Sequence, residues 1–180
     1  IERAAALINA GASCLCLDVA HGDHILMHVG AHNIVDKFGD KAHIMAGNIA
    51  TYTGALALGQ IGVDSIRVGI GGGSICSTRI QTGHGMPTLA SVIECARAKE
   101  KYPNIKIVAD GGIKTSGDMV KALAAGADFV MLGSLLAGTE ESPGDTIFSN
   151  GGQRKVYRGM ASKDAQLEWR GHAASEEGVS

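Results

Sequence analysis

The chain reads Ala125-Gly126-Ala127-Asp128-Phe129-Val130-Met131-Leu132-Gly133 over residues 125–133. A helix end, a glycine and a short apolar run follow one another there, and residues 10–18 and 61–69 repeat the same order. Glycine at the end of a helix takes the left-handed conformation that other residues avoid. A continuously apolar run is typical of a parallel strand covered on both faces. The pattern therefore predicts a helix–strand unit that occurs three times.

Two further apolar runs, at residues 43–47 and 105–110, follow charged helix ends. The resulting alternation of five strands with helices predicts βαβ units and a parallel sheet, either open or closed. All five strands end in glycine or polar residues, which favours a barrel, because a barrel brings every carboxyl end to one active face. We predict an α/β fold, a (β/α)8 TIM barrel, of which the chain covers the five C-terminal units. We expect residues 1–180 to be a single catalytic barrel domain, incomplete at both ends.

Composition narrows the function classes. The apolar fraction of 45% supports a substantial core, and the net charge of −2 offers no footprint for nucleic acid. No apolar run reaches membrane-spanning length, and no signal peptide opens the chain. The four cysteines lack the spacing of a zinc site and suit a reducing compartment. We expect a cytoplasmic protein without nucleic-acid or membrane partners.

The stretch from Val68 to Arg79 is the richest in chemistry. Its glycines let main-chain N–H groups approach a phosphate, or turn carbonyls toward a cation. A flexible connection is the alternative for any glycine-rich loop. Cys76 follows these glycines at the predicted active face, where a thiol is placed to act as a nucleophile. No histidine stands beside it in this segment to activate it.

Two neighbouring strand ends predict a phosphate site. Asp110-Gly111-Gly112 and Gly133-Ser134 supply glycine N–H groups and a hydroxyl where barrels bind phosphate. Asp110 suits hydrogen bonds from ribose hydroxyls; a turn, or a cap for a helix near Ser116, is the alternative.

Histidines at positions 21, 24, 28 and 32 have helical spacing. No carboxylate or thiolate of suitable spacing accompanies them, so we expect a solvated or partner-facing helix rather than a metal site.

Four motifs together resemble the IMP dehydrogenase / GMP reductase family. They are Gly71-Gly72-Gly73-Ser74-Ile75-Cys76-Ser77-Thr78-Arg79, Ala109-Asp110-Gly111-Gly112-Ile113, Met131-Leu132-Gly133-Ser134-Leu135-Leu136-Ala137-Gly138 and Tyr157-Arg158-Gly159-Met160-Ala161-Ser162. They span nearly the whole chain. The resemblance implies the barrel fold and covalent catalysis, in which Cys76 adds to C2 of the purine.

The resemblance also implies roles for the remaining site residues. It assigns the phosphate and ribose to Ser74, Asp110, Gly111, Gly112, Gly133, Ser134 and Tyr157, and the base to Gly159 and Met160. It places Asp18 and Ala20 beside a nicotinamide cofactor, and the carbonyls of Gly71, Gly73 and Cys76 around a monovalent cation such as K⁺. The family resemblance also implies a homotetramer.

The family has two branches with different chemistry. The dehydrogenase oxidises IMP with NAD and carries a flap with an Arg-Tyr pair; the reductase converts GMP to IMP and ammonia with NADPH. The stretch after Met160 lacks that pair, and Ala174-Ser175-Glu176-Glu177-Gly178 resembles the reductase's Ala-Ser-Glu-Gly. We therefore expect the reductase, with Thr78 and Glu177 assisting Cys76; the adjacent glycine favours Glu177 over Glu176. The dehydrogenase and a non-catalytic nucleotide-binding barrel are the alternatives.

Overall fold

The structure is a computed structural model that describes residues 1–149, 151–159 and 162–171. Its main sheet has five parallel strands in sequential order. The strands are β1 (Cys14–Asp18), β2 (His43–Ile49), β3 (Ser65–Val68), β4 (Lys106–Asp110) and β5 (Phe129–Met131). A separate antiparallel hairpin follows, formed by β6 (Thr146–Ser149) and β7 (Gly152–Lys155).

Helices precede or follow the strands of the main sheet in alternation. They are α1 (Glu2–Asn9), α2 (Ile25–Phe38), α3 (Tyr52–Ile61), α4 (Thr78–Thr82), α5 (Thr88–Ala96), α6 (Ser116–Ala124) and α7 (Lys163–Arg170), and a 3₁₀ turn at Arg97–Glu100 extends α5. Helix α2 packs on α3, α3 on α5 and α5 on α6. Helices α2, α3, α5 and α6 therefore form one layer against the sheet.

The core lies between this helical layer and the sheet. Ala46, Ile66 and Ile107 occupy aligned positions on three neighbouring strands, and all three side chains are fully buried. Leu58 of α3 and Val92 of α5 are also fully buried. Each large apolar side chain withdrawn from water in this way contributes about 1.5–3 kcal/mol. This packing holds the strand ends in a fixed arrangement.

Two aspartates in the repeated helix-to-strand loops tie neighbouring strands together. Asp64 accepts a hydrogen bond from the main-chain N–H of Ile44, and Asp128 accepts one from that of Ile107, each at 2.7 Å. Lys99 pairs with Asp128 at 2.7 Å. Although burial raises the pKa of Asp128, the hydrogen bonds and charge of Lys99 and the Ile107 N–H lower it overall. The Gly-x-Asp repeat thus fixes strand register.

The expected strands are present, with small differences in their ends. Strand β2 continues to Ile49, past the predicted end at residue 47, whereas β5 stops at Met131, before the predicted end at residue 133. The hairpin of β6 and β7 is not among the elements predicted from the sequence. Sequential strand order with helices on one face is what a barrel requires, whereas an open doubly wound sheet has helices on both faces. Barrel closure and the extent of the domain stay predictions, because β1 and β5 each have one paired neighbour within the described residues.

None of the helices in the described part of the chain has the length and apolar character needed to cross a membrane.

Candidate active site

A cleft of about 840 Å³ opens at the carboxyl ends of β1 to β4. The segment after β7 closes one side of it. Parallel strands all end at the same edge of a sheet, which is why polar groups distant in sequence meet here. The lining combines carboxylates, two arginines, glycine main chain and one thiol. The cleft is therefore suited to a polar ligand.

Cys76 lies half-buried in this cleft, in the loop between β3 and α4. Its main-chain N–H donates to the carbonyl of Gly73 at 3.1 Å, which closes a tight turn. Its thiol donates to the Thr78 hydroxyl at 3.3 Å. Once the thiol is ionised, the same hydroxyl can donate to the sulfur or to a group leaving from the attacked carbon. A nucleophile and a hydroxyl partner are thus adjacent.

Arg67 of β3 connects three strand ends beside the thiol loop. Its guanidinium lies 3.1 Å from the Asp18 carboxylate and 3.1 Å from that of Asp110. Burial lowers the pKa of Arg67, but the charges of Asp110 and Asp18 outweigh it and raise that pKa overall. Asn48 of β2 donates to the same Asp110 oxygen at 2.8 Å. Asp110 is therefore held in one orientation.

The glycine loops after β3 and β4 approach each other closely. A Cβ on Gly111 would lie 2.9 Å from the main-chain nitrogen of Gly73, a distance that Cβ atoms essentially never adopt. Gly111 also has a φ of 90°, in the left-handed region. Only glycine satisfies both conditions. The close approach concentrates main-chain polar groups from two loops beside Asp110.

Tyr157 joins the cleft to the end of β5. A Cβ on Gly133 would overlap the Tyr157 hydroxyl, so that hydroxyl packs directly against the glycine. Tyr157 lines the main cleft and also a second cleft that Gly133 borders. The contact brings together two residues expected to bind phosphate, Gly133 after β5 and Tyr157 after β7.

Most of the sequence-predicted site residues meet in the main cleft. Its lining includes Asp18, Ala20, Gly71, Gly73, Cys76, Thr78, Asp110, Gly111, Tyr157 and Gly159. Four others lie outside that lining: Ser74, Gly112, Gly133 and Ser134, all of them exposed. Met160 and Glu177 lie outside the described residues. The assigned roles stay predictions.

The structure corrects the expected helix around the histidines and shows that Asp110 does not cap the helix near Ser116. Of the four histidines, only His28 and His32 lie within α2. His24 instead caps its N-terminus by accepting the Leu26 N–H, and His21 precedes it. No cluster of three metal-ligating side chains occurs in the part of the chain described. For the helix near Ser116, Thr115 provides the cap, whereas the Asp110 carboxylate contacts Arg67 and Asn48.

Arg67 and Asn48 are not among the site residues predicted from the sequence. Arg67 was visible as a charged residue between Ile66 and Val68 in an apolar strand. Because a buried charge requires a partner, that position alone signals an ion pair, although not which carboxylates supply it.

Comparison with known proteins agrees with this geometry. The family model of the IMP dehydrogenase / GMP reductase domain matches residues 1–178. The chain belongs to the IMP dehydrogenase / GMP reductase family. Members of this family are oxidoreductases that act on purine nucleotides with nicotinamide cofactors.

Relatives in this family carry both names. The chain is 50% identical over 167 residues to inosine-5′-monophosphate dehydrogenase of Nitrosopumilus maritimus, covering 93% of this chain and 35% of that protein. It is 49% identical over 168 residues to GMP reductase of Leishmania major, covering 92% of this chain and 34% of that protein. The chain therefore spans about a third of the length of these curated relatives.

A solved structure of the same family is similar throughout. A GMP reductase variant from Trypanosoma brucei, in complex with guanosine 5′-monophosphate, superposes with a TM-score of 0.91 and 40% identity. The similarity covers 99% of this chain and 38% of that one.

Proposed function

We propose that the protein containing this chain is a GMP reductase, which converts GMP to IMP and ammonia with NADPH. The contact between the Cys76 thiol and the Thr78 hydroxyl at 3.3 Å, inside the cleft, carries the covalent part of the proposal. The Glu-bearing segment Ala174-Ser175-Glu176-Glu177-Gly178 and the similarity to a GMP-bound reductase support the reductive direction.

Recognition of the nucleotide is assigned to the glycine loops and to Asp110. Ser74, Gly112, Gly133, Ser134 and Tyr157 bind the 5′-phosphate through N–H and O–H donors. Asp110, held by Arg67 and Asn48, accepts the ribose hydroxyls. Gly111 brings main chain close to this point, and Gly159 and Met160 contact the base. In the proposed complex, C2 of the purine lies over Cys76.

The reaction begins when the Cys76 thiolate attacks C2 of GMP and forms a carbon–sulfur bond. The exocyclic amine then takes up a proton and leaves as ammonia, with Thr78 and Glu177 acting on the leaving nitrogen. The product is a thioimidate joined to Cys76. Covalent attachment divides one difficult displacement into two easier steps, and acid assistance to a leaving group typically accelerates such a step by about 10²–10⁴-fold.

The cofactor position lies at the β1 end of the same cleft. Asp18 and Ala20 line it, and Asp18 is kept in place by Arg67. Carboxylate and main-chain groups there fit the hydroxyls and amide of a nicotinamide nucleotide. NADPH held there would provide hydride chemistry toward C2, and cleavage of the carbon–sulfur bond would then return Cys76 to the thiolate. The net reaction consumes GMP, NADPH and two protons, and yields IMP, NADP⁺ and ammonium.

A monovalent cation, K⁺ by preference, is proposed at the carbonyls of Gly71, Gly73 and Cys76. The Gly73 carbonyl accepts the Cys76 N–H and keeps a second lone pair for a cation. A cation there would stabilise the turn that holds the thiol. We also propose that the protein forms a homotetramer and is located in the cytoplasm.

The paired spectrophotometric assay tests the proposal on the full-length protein. Oxidation of NADPH with GMP, and no reduction of NAD with IMP, is the expected result. The opposite pattern would establish the IMP dehydrogenase, the second candidate, which the similarity at 50% identity to a protein of that name favours. A non-catalytic nucleotide-binding barrel would show neither activity, and mass spectrometry would find no adduct on Cys76 after incubation with a C2-electrophilic nucleotide.

A further inference from the structure

The ammonium group of Lys155, the last residue of β7, lies among three main-chain carbonyls of a distant segment. Its Nζ donates to the oxygens of Thr139 at 2.7 Å, Glu140 at 3.1 Å and Ser142 at 2.5 Å. The side chain is half-buried. An ammonium has three donors and no acceptor, so these three carbonyls use its full capacity. Lys155 therefore has no donor left for an anion in the cleft.

The three carbonyls end a turn that begins at Gly133. The N–H groups of Leu136 and Ala137 both bond to the Gly133 carbonyl at 3.0 Å, and the Thr139 N–H bonds to that of Leu136 at 3.2 Å. The carbonyls of Thr139, Glu140 and Ser142, at the far end of this turn, converge on the ammonium. Lys155 is placed at that end, and Gly133 with Ser134 is at the other. The lysine thus fixes the orientation of the whole turn.

The same two segments meet at a second point. Tyr157, two residues after Lys155, packs its hydroxyl against Gly133. The segment after β5 and the segment after β7 are therefore joined at both ends, by the Lys155 ammonium and by the Tyr157–Gly133 contact. Without the Lys155 ammonium, the Tyr157–Gly133 contact alone would join the two segments, so the turn after Gly133 could change its orientation relative to Tyr157.

We propose that Lys155 is a positioning residue for the 5′-phosphate of the purine nucleotide. It holds the turn after Gly133 against β7 and thereby sets the spacing between Gly133, Ser134 and Tyr157. The lysine does not touch the phosphate. The identity of the ligand rests on the proposed function. Because Lys155 acts through the phosphate-binding residues, its replacement should weaken the binding of ligands that carry the phosphate. It should not weaken the binding of ligands that have only the base and ribose.

The test compares IMP with inosine, which lacks the phosphate, as ligands of the full-length protein. Dissociation constants are measured for wild type, Lys155→Met, Lys155→Arg and the control Lys41→Met, an exposed lysine between α2 and β2. We expect Lys155→Met to weaken IMP about tenfold and leave inosine within about twofold. Lys155→Arg should weaken IMP about threefold, because a planar guanidinium does not match three carbonyls around one nitrogen. Lys41→Met should change neither.

Amide hydrogen exchange provides a readout that needs no nucleotide. Exchange at residues 139–142 should be faster in Lys155→Met than in wild type, with exchange in α6 unchanged. Equal weakening of IMP and inosine, or no weakening of either, would overturn the inference while the proposed function stands. A wild-type protein that binds neither IMP nor GMP would overturn both. If Lys155→Met does not fold, the IMP-to-inosine ratio of Lys155→Arg decides.

Discussion

Arg67 and Asp110 form an ion pair across adjacent strands, with the arginine Nε 3.1 Å from the aspartate Oδ2. Both side chains are largely withdrawn from solvent, with exposures of 16% and 23%. A charge pair of this kind adds little when intact, but removing one partner leaves the other charge buried without compensation. Because Arg67 also contacts Asp18, one guanidinium orients a proposed ribose ligand and a proposed cofactor contact.

Replacing Arg67 should therefore affect stability and binding together. We expect Arg67→Met to lower the free energy of unfolding by about 3 kcal/mol. Arg67→Lys should retain the fold yet raise the KM for both nucleotide and cofactor, because one ammonium cannot reproduce the two separate contacts of the guanidinium. Urea unfolding and steady-state kinetics on the full-length protein measure these effects. Arg3→Met, at an exposed position of α1, is the matched control. Wild-type kinetics for Arg67→Lys would contradict the assignment.

Thr78 should matter for the chemical step more than for binding. Thr78→Val removes the hydroxyl that accepts a hydrogen bond from the Cys76 thiol. We expect kcat to fall about a hundredfold with KM nearly unchanged. Thr78→Ser keeps the hydroxyl and should retain activity within about tenfold. The exposed Thr146 of the hairpin gives the control Thr146→Val. A Thr78→Val enzyme with normal kcat and raised KM would show that the hydroxyl only shapes the cleft.

The lack of space at Gly133 leads to a second prediction about nucleotide binding. Gly133→Ala places a Cβ on the Tyr157 hydroxyl, so the tyrosine must move and the KM for the nucleotide should rise about tenfold. Gly138→Ala provides the control in the same segment, since a Cβ there meets no atom within 4 Å. Steady-state kinetics distinguish the two variants. Equal KM values would mean that Tyr157 does not depend on contact with Gly133.

Asp128 should make the fold sensitive to acid. Its pKa is lowered in the folded chain because its bonds to Lys99 and to the Ile107 N–H outweigh burial. The ionised carboxylate therefore stabilises the fold above its unfolded pKa of about 4 and stops doing so as the pH falls through the lower folded value. Asp128→Asn should lower the free energy of unfolding by about 1.5 kcal/mol at pH 7.

The pH dependence separates this charge effect from a simple loss of packing. The difference between wild type and Asp128→Asn should shrink steadily as the pH is lowered below about 4. Urea unfolding at pH 7 and at several acidic values measures it on the full-length protein. Asp40→Asn, at an exposed position after α2, controls for the change of net charge. A difference that stays constant with pH would assign the effect to packing.

Much of the fold is readable from short segments. Each helix end followed by glycine and an apolar run corresponds to a strand of the sheet, because the left-handed cap is a local requirement. The hairpin of β6 and β7 escaped prediction because its strands lack a clear apolar alternation. Its stability comes from its partners, notably the carbonyls around Lys155.

The sequence by itself determined the repeated strand units, the glycine loops and the placement of Cys76 after a strand, since each depends on residues within about a dozen positions. Only the tertiary structure decided that Arg67 joins Asp18 to Asp110, and that Lys155 holds a turn rather than an anion. These contacts connect residues 13 to 49 positions apart. Their formation depends on strand order, register and the free donors of each group, which no local pattern of residue types contains.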